Sequence, residues 1–166
     1  MCCGKTTEML RRYNRLLSIN QHGLIVKHAI DVRYCEHKIV THDMCCQDAL
    51  SVARLSDCFS SSKYKNCEYI FIDEGQFFVD IIPSISRMLN DGKHVTVCAL
   101  SGDHKMHPFP NIAELLSISD SILHLRALCW CGKAAPFTRK VGGNANLLVE
   151  VGGTDMYKPV CREHFC

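Results

Sequence analysis

The chain is 166 residues long with a formal net charge of +2, 47% hydrophobic and 22% charged residues, which is ordinary globular composition for one compact domain with a small appendage. The near-neutral charge, with no basic stripe, argues against a nucleic-acid binder, leaving a zinc-ribbon binder of that kind as the weaker alternative, and the Arg11-Arg12 pair reads as the solvated face of a helix. No run of about 18 apolar residues is present, which excludes a membrane-spanning helix and leaves no reason to expect a membrane partner.

In chain order, Thr6 to Asn20 reads as a helix, with Met9, Leu10, Tyr13, Leu16 and Leu17 at helical spacing and His22-Gly23 ending it. Leu24-Ile25-Val26 reads as a short buried strand. Asp31 to Asp43 is mixed and polar, which predicts loop, and Gln47 to Leu55 predicts a short helix. Ser60 to Lys63 predicts a linker-like turn. Tyr69-Ile70-Phe71-Ile72 is a continuous apolar run closed by Asp73-Glu74-Gly75, the pattern of a central parallel strand. Val79 to Asn90 predicts a helix stopped by Asp91-Gly92. Val95 to Leu100 predicts a second fully apolar strand, Asn111 to Ile118 a short helix, and Ile122 to Leu125 a last core strand. Alternating strands and helices give an α/β fold with a parallel sheet. Beyond Leu128 cysteines, glycines and short β-like runs such as Leu147 to Val151 replace the helices, which predicts two parts, 1–128 and 129–166, the second a metal-stapled subdomain.

Twelve cysteines in one chain suggest a disulfide scaffold. Met1, however, runs straight into Cys2, Cys3, Gly4 and Lys5 with no apolar leader core. The expectation is a reducing, cytoplasmic setting in which thiols stay free, pack as small apolar groups or bind metal.

Three motifs carry chemistry. Gly4-Lys5-Thr6-Thr7 opens a helix, as in a phosphate-binding loop, where backbone N–H groups cradle phosphates, the lysine reaches the β/γ-phosphates and the hydroxyl ligates Mg²⁺. Taken alone, the same four residues also fit a threonine-capped helix start. Ile70 to Glu74 is an apolar strand ending in paired acids, which delivers a carboxylate where ligands of open α/β sheets bind. Asp73 is the candidate Mg²⁺ ligand and Glu74 the candidate partner of an acceptor hydroxyl; two carboxylates at a strand end are costly to bury for structure alone. Cys129-x-Cys131 with Cys161-x-x-His164 offers a Cys₃His set for a closed, structural Zn²⁺ site, with chance spacing in a cysteine-rich chain as the alternative.

Together these motifs resemble the type II thymidine kinase family over essentially the whole chain. The most specific pieces are Asp73-Glu74-Gly75-Gln76-Phe77-Phe78 and the run from Gly152 to Phe165; Asp31-Val32-Arg33-Tyr34 and Thr41-His42-Asp43 add to them. The resemblance implies a P-loop, RecA-like parallel sheet flanked by helices, with a small C-terminal zinc subdomain carrying a lasso loop. It implies transfer of the γ-phosphate of ATP to the 5′-hydroxyl of thymidine, with Glu74 as general base. It implies that Gly4, Lys5, Thr6, Asp31, Val32, Arg33, Asp73, Gly75 and Gln76 serve ATP and Mg²⁺. Phe77, His104, Phe109, Tyr157 and the segment Leu148, Val149, Glu150, Val151 and Gly152 would serve the nucleoside. Feedback by thymidine triphosphate and a homo-oligomer, tetramer or dimer, are likewise implied.

Three departures stand against the pattern. The motif's first strand and first glycine are not seen before Gly4, which predicts weak activity; the alternative is a catalytically impaired, zinc-stapled homologue that keeps only the fold and its assembly. His104, within Ser101-Gly102-Asp103-His104, stands where the family carries an aromatic nucleoside contact. Cys2 and Cys3 replace the residues usual beside the glycine-lysine pair.

Overall fold

The computed structural model describes residues 2–31, 38–40, 46–142 and 156–165. The chain groups into two compact units, Thr6–Ala99 and Leu100–Cys166, the second taking in Met1–Lys5.

In the first unit, helix α1 (Lys5–Leu17) carries Met9 and Leu10 on its buried face. They pack with Ile25, Ile39 and Phe71 in one apolar cluster, and the Tyr13 ring meets Phe71 edge-on at 5.6 Å. Each such side chain removed from water contributes roughly 1.5–3 kcal/mol. Strand β1 (Gly23–His28) is buried from Leu24 through Lys27. A short antiparallel pair follows, β2 (Lys38–Val40) with β3 (Cys46–Asp48), and then β4 (Leu50–Val52). A 3-10 helix, Leu55–Ser60, leads to helix α2 (Ser62–Asn66), for which the Ser61 hydroxyl accepts a capping bond from Lys63 N. Strand β5 (Tyr69–Ile72) leads through a tight turn to helix α3 (Ile81–Asn90), which buries Ile81, Ser84, Ile85 and Met88, and then to strand β6 (His94–Val97). The main sheet is four-stranded and parallel, in the order β4-β1-β5-β6. Gly23 pairs with Tyr69 and Val26 with Ile72, and Ile72 pairs in turn with Val97. This register brings the carboxyl ends of β1 and β5 to one edge of the sheet, where parallel α/β folds place their ligands.

The second unit holds helix α4 (Pro110–Ser117), whose first position is proline, preset for a helix start. Beyond it lie two antiparallel pairs, β7 (Ala127–Leu128) with β8 (Ala134–Ala135), and β9 (Phe137–Lys140) with β10 (Tyr157–Val160). Their core is Ala127, Cys129, Ala135, Val160 and Cys161, with Cys3, Phe137 and Phe165 packed against it.

Four expected elements differ: strand β2 (Lys38–Val40) lies within the expected loop Asp31 to Asp43, the expected turn Ser60 to Lys63 ends the 3-10 helix and opens α2, and two larger differences follow. The helix expected over Gln47 to Leu55 is strands β3 and β4, followed by the first turn of the 3-10 helix. Leu50, Ser51 and Val52 pair with Val26, Lys27 and His28, and that non-local ladder overrides local helix propensity. The core strand expected over Ile122 to Leu125 is irregular, with Ile122 at 62% and Leu123 at 57% exposure. An apolar run supplies a strand's side chains without supplying its hydrogen-bonding neighbour. The β-like run at 147–151 lies outside the described residues.

Candidate active site and metal centre

Strand β5 ends at Ile72, and Asp73 N donates to Val26 O of β1 at 2.9 Å, so the ladder itself fixes the acid. Asp73 is 3% exposed, and its Oδ2 accepts from Thr6 Oγ1 at 3.3 Å. The second residue of helix α1 and the first acid after β5 therefore touch. A hydroxyl beside a carboxylate is a set of hard oxygen donors, the kind Mg²⁺ prefers.

Glu74 follows in the left-handed region, at φ 51° and ψ 43°. A side chain there costs roughly 1–3 kcal/mol, a penalty that clusters where function holds the backbone. Gly75 N donates to Cys98 O at 2.9 Å and locks the turn. A Cβ on Gly75 would lie 2.6 Å from Val97 Cγ1 and 3.2 Å from Ile81 Cδ1, so close approach of β6 and α3 requires glycine. Gln76, 6% exposed, donates from Nε2 to Glu74 Oε2 at 2.6 Å and orients that carboxylate. Phe77 and the fully buried Phe78 lie at 6.0 and 4.7 Å from the His28 ring. Burial pushes the His28 imidazole below its usual range. Asp31 is 9% exposed, and its N donates to His28 O at 3.0 Å.

In the other unit Gly4, at φ +76°, occupies the left-handed turn that opens α1, and the space beside its Cα is open. The loop from Ser101 to Phe109 is closed by Phe109 N donating to Ser101 O at 3.2 Å, with Asp103 Oδ1 accepting from Lys105 N and His107 N at 2.7 and 2.8 Å. That loop holds the His104 ring 6.4 Å from Tyr157 and sets Phe109 at the start of α4. Val32, Arg33 and residues 148–152 lie outside the described residues.

Sequence reasoning missed Asp80 and gave Lys27 no role. Asp80, 7% exposed, accepts from Leu55 N at 3.1 Å, Ser56 N at 3.0 Å and Ser84 Oγ at 3.3 Å. Burial pushes its carboxyl up, but the N–H groups of Ser56 and Leu55 outweigh that and hold it below the usual carboxylate range. Lys27, 3% exposed within β1, donates to Lys38 O at 3.3 Å. A lysine amid the apolar residues of a buried strand was the available signal.

Cys129, Cys131, Cys161 and His164 do converge: their ligand atoms lie within 4.8 Å of one another. Cys131 and Cys161 Sγ are 3.8 Å apart, and His164 Nδ1 lies 3.4 and 3.3 Å from the sulfurs of Cys129 and Cys161. Two sulfurs at about 2.3 Å from a tetrahedral ion stand about 3.8 Å apart, so the donor set fits one. Each pair sits on its own knuckle. Gly132, at φ +83°, turns the first, with Gly132 N donating to Cys129 O at 2.8 Å, and the Arg162–His164 3-10 turn forms the second. A Lys133–Glu163 ion pair at 2.7 Å bridges the knuckles. Burial pushes the Cys129 thiol up, but the N–H groups of Cys131 and Cys161, together with His164, bring it down to about 6. A thiolate at neutral pH is the form that binds metal.

A sequence model of the family described as Thymidine kinase matches residues 1–165. The chain is 39% identical over 164 residues to the thymidine kinase of Myxoma virus (strain Lausanne), covering 98% of this chain and 90% of that one. It is 38% identical over 169 residues to the thymidine kinase of Fowlpox virus (strain NVSL), covering 99% and 92%. To the cytosolic thymidine kinase of Gallus gallus it is 37% identical over 163 residues, covering 98% and 71%. With a family model spanning residues 1–165 and relatives aligned over 98% of this chain, the chain belongs to the thymidine kinase family.

Proposed function

We propose that this chain is an ATP-dependent thymidine kinase that transfers the γ-phosphate of ATP to the 5′-hydroxyl of thymidine, giving thymidine monophosphate for DNA synthesis. The observation that carries this reading is the turn after β5: a buried Asp73 holding Thr6, then Glu74 in a left-handed backbone with Gln76 aiming its carboxylate. Phosphoryl transfer asks a protein mainly for positioning and charge neutralisation. Glu74 takes the proton of the 5′-hydroxyl as its oxygen bonds to the γ-phosphorus, and the bond from that phosphorus to the bridging oxygen of ADP breaks. Gly4 and Lys5 cradle the donor phosphates, and Thr6 and Asp73 hold Mg²⁺, which supplies charge neutralisation at the phosphates when bound. Asp31, Val32, Arg33, Gly75 and Gln76 complete the donor side. Phe77, His104, Phe109 and Tyr157 wall the nucleoside, and the lasso segment Leu148, Val149, Glu150, Val151 and Gly152 reads the thymine edge through its backbone.

The functional division runs 1–128 for the P-loop kinase part and 129–166 for the lasso part. Zn²⁺ at Cys129, Cys131, Cys161 and His164 is structural, because four protein donors leave no open position. Thymidine triphosphate as feedback inhibitor, a homo-oligomer and a cytoplasmic setting complete the reading. The last is supported by the cytosolic relative and by the finding that no described helix is long and apolar enough to cross a membrane. The test is conversion of labelled thymidine with ATP and Mg²⁺. Thymidine monophosphate is the expected product; a folded, zinc-loaded chain that neither forms it nor binds thymidine overturns the proposal.

A further inference from the structure

Strands β9 and β10 place Arg139 directly opposite Lys158. Like charges facing each other across an antiparallel pair repel. Among the described residues neither forms an ion pair with a carboxylate. Both side chains line a cleft of about 490 Å³ together with Lys140, Val141 and Trp130, a size typical of small-ligand sites. No acidic side chain lines this cleft among the described residues. Arg139 is held in place, its Nη1 donating to His164 O at 3.1 Å. Trp130 is 61% exposed, yet it is steadied by the His164 ring at 4.5 Å. A fixed guanidinium, the Lys158 ammonium and an open indole form a polyanion clamp with a stacking platform, while the Lys140 ammonium lies over the Tyr157 ring on the other face of the ribbon.

We infer that this cleft is a second nucleotide site, one that takes a nucleoside polyphosphate with its base on Trp130 and its phosphates on Arg139 and Lys158. It uses none of the residues assigned above to phosphoryl transfer. Arg139 and Lys158 also alternate with Tyr157 along the ribbon, so they point away from the face that carries that side chain. The basic cluster is created by strand register: Arg139 and Lys158 are far apart in sequence and form no charge run.

Trp130 is the chain's single tryptophan, so with the metal site kept loaded its fluorescence follows ligands that reach its own surroundings. The experiment titrates the zinc-loaded full chain with ATP, in the wild type and in a Lys5→Ala background that weakens the donor site. Saturable quenching is expected in both, and inorganic tripolyphosphate should displace it. Arg139→Ala with Lys158→Ala should raise the half-saturation point about tenfold or more, and rising salt should raise it in the wild type. The double variant should keep its circular dichroism and phosphorylate thymidine within about twofold of wild type, because neither charge enters the transfer machinery. Quenching that vanishes in Lys5→Ala would locate the signal at the donor site and overturn the inference. So would quenching that the folded double variant leaves unchanged, or no saturable quenching at all. None of these outcomes alters thymidine conversion by the wild type, so the two assignments fail separately.

Discussion

Replacing Gly75 by alanine tests how the turn after β5 is held. Gly75 has no positive φ, so alanine suits its backbone and the cost is one of space. The new methyl would start 2.6 Å from Val97 Cγ1 and 3.2 Å from Ile81 Cδ1. The isoleucine tip can swing aside, but Val97 is β-branched and stiff about χ1. The turn must therefore shift by about 1 Å to reach ordinary carbon–carbon contact near 3.5–4.0 Å. Overpacking of this kind costs about 1–3 kcal/mol. The shift also pulls on the bond from Gly75 N to Cys98 O, so the neighbouring Glu74 carboxylate moves off its aim. A displacement of that size cuts kcat by up to about 10²-fold. Urea unfolding and steady-state kinetics should be run on Gly75→Ala, Val97→Ala and the double variant. Trimming Val97 opens the space the methyl needs, so the double variant should be more stable than the two single losses predict, with a coupling of about 1 kcal/mol or more. A Gly75→Ala protein within about 0.5 kcal/mol of wild type, with unchanged kcat, would refute the steric reasoning.

Asp80→Ala strips the acceptor from Leu55 N, Ser56 N and Ser84 Oγ, and should cost about 2–4 kcal/mol in urea unfolding, because bonds to a buried charge are the strong ones. The same carboxyl gives a pH signature. Its folded value lies below the unfolded one, so its contribution is fully present above about pH 4 and is lost as pH falls through the folded value. Acid titration of stability should therefore be shallower in Asp80→Ala, and an unchanged slope would remove Asp80 as a cause. Cys161→Ser should lower bound zinc from one per chain, measured by elemental analysis, and shift Trp130 emission through its contact with His164. Full zinc occupancy in that variant would break up the proposed ligand set. Thr6→Val removes the hydroxyl that meets Asp73 and should raise the Mg²⁺ concentration needed for half-maximal rate about tenfold; an unchanged Mg²⁺ dependence would argue that Thr6 lies outside the ion's shell.

Much of this was legible in the sequence where one physical cause dominated. Tyr69 to Ile72 is apolar because β5 is an interior strand, and its acids follow at the carboxyl end of that strand, the end where parallel α/β sheets place ligands. The helix over Ile81–Asn90 showed its periodicity, and the four metal donors showed their paired spacing. What stayed hidden was set by partners distant in sequence. Strand β4 exists because Leu50 to Val52 pair with β1, which no local pattern of Gln47 to Leu55 reveals. Ile122 and Leu123 resemble core residues yet are exposed, since composition does not say whether a neighbouring strand is there. Asp80 fell inside the expected helix Val79 to Asn90 with no role of its own, and that role depends on the Leu55–Ser60 turn folding onto it. Arg139 and Lys158 form a pair only in the register of β9 and β10.

The central claim is that Glu74 removes the proton from the nucleoside hydroxyl. Single-turnover transfer to labelled thymidine in Glu74→Gln, run beside equilibrium binding of ATP, tests it most directly. Glutamine keeps the shape of the side chain and its contact with Gln76 while losing the basic oxygen pair. The account predicts a chemical step slowed by about 10²–10⁴-fold, with ATP affinity within a few-fold of wild type. A Glu74→Gln protein that transfers phosphate at the wild-type rate would contradict it.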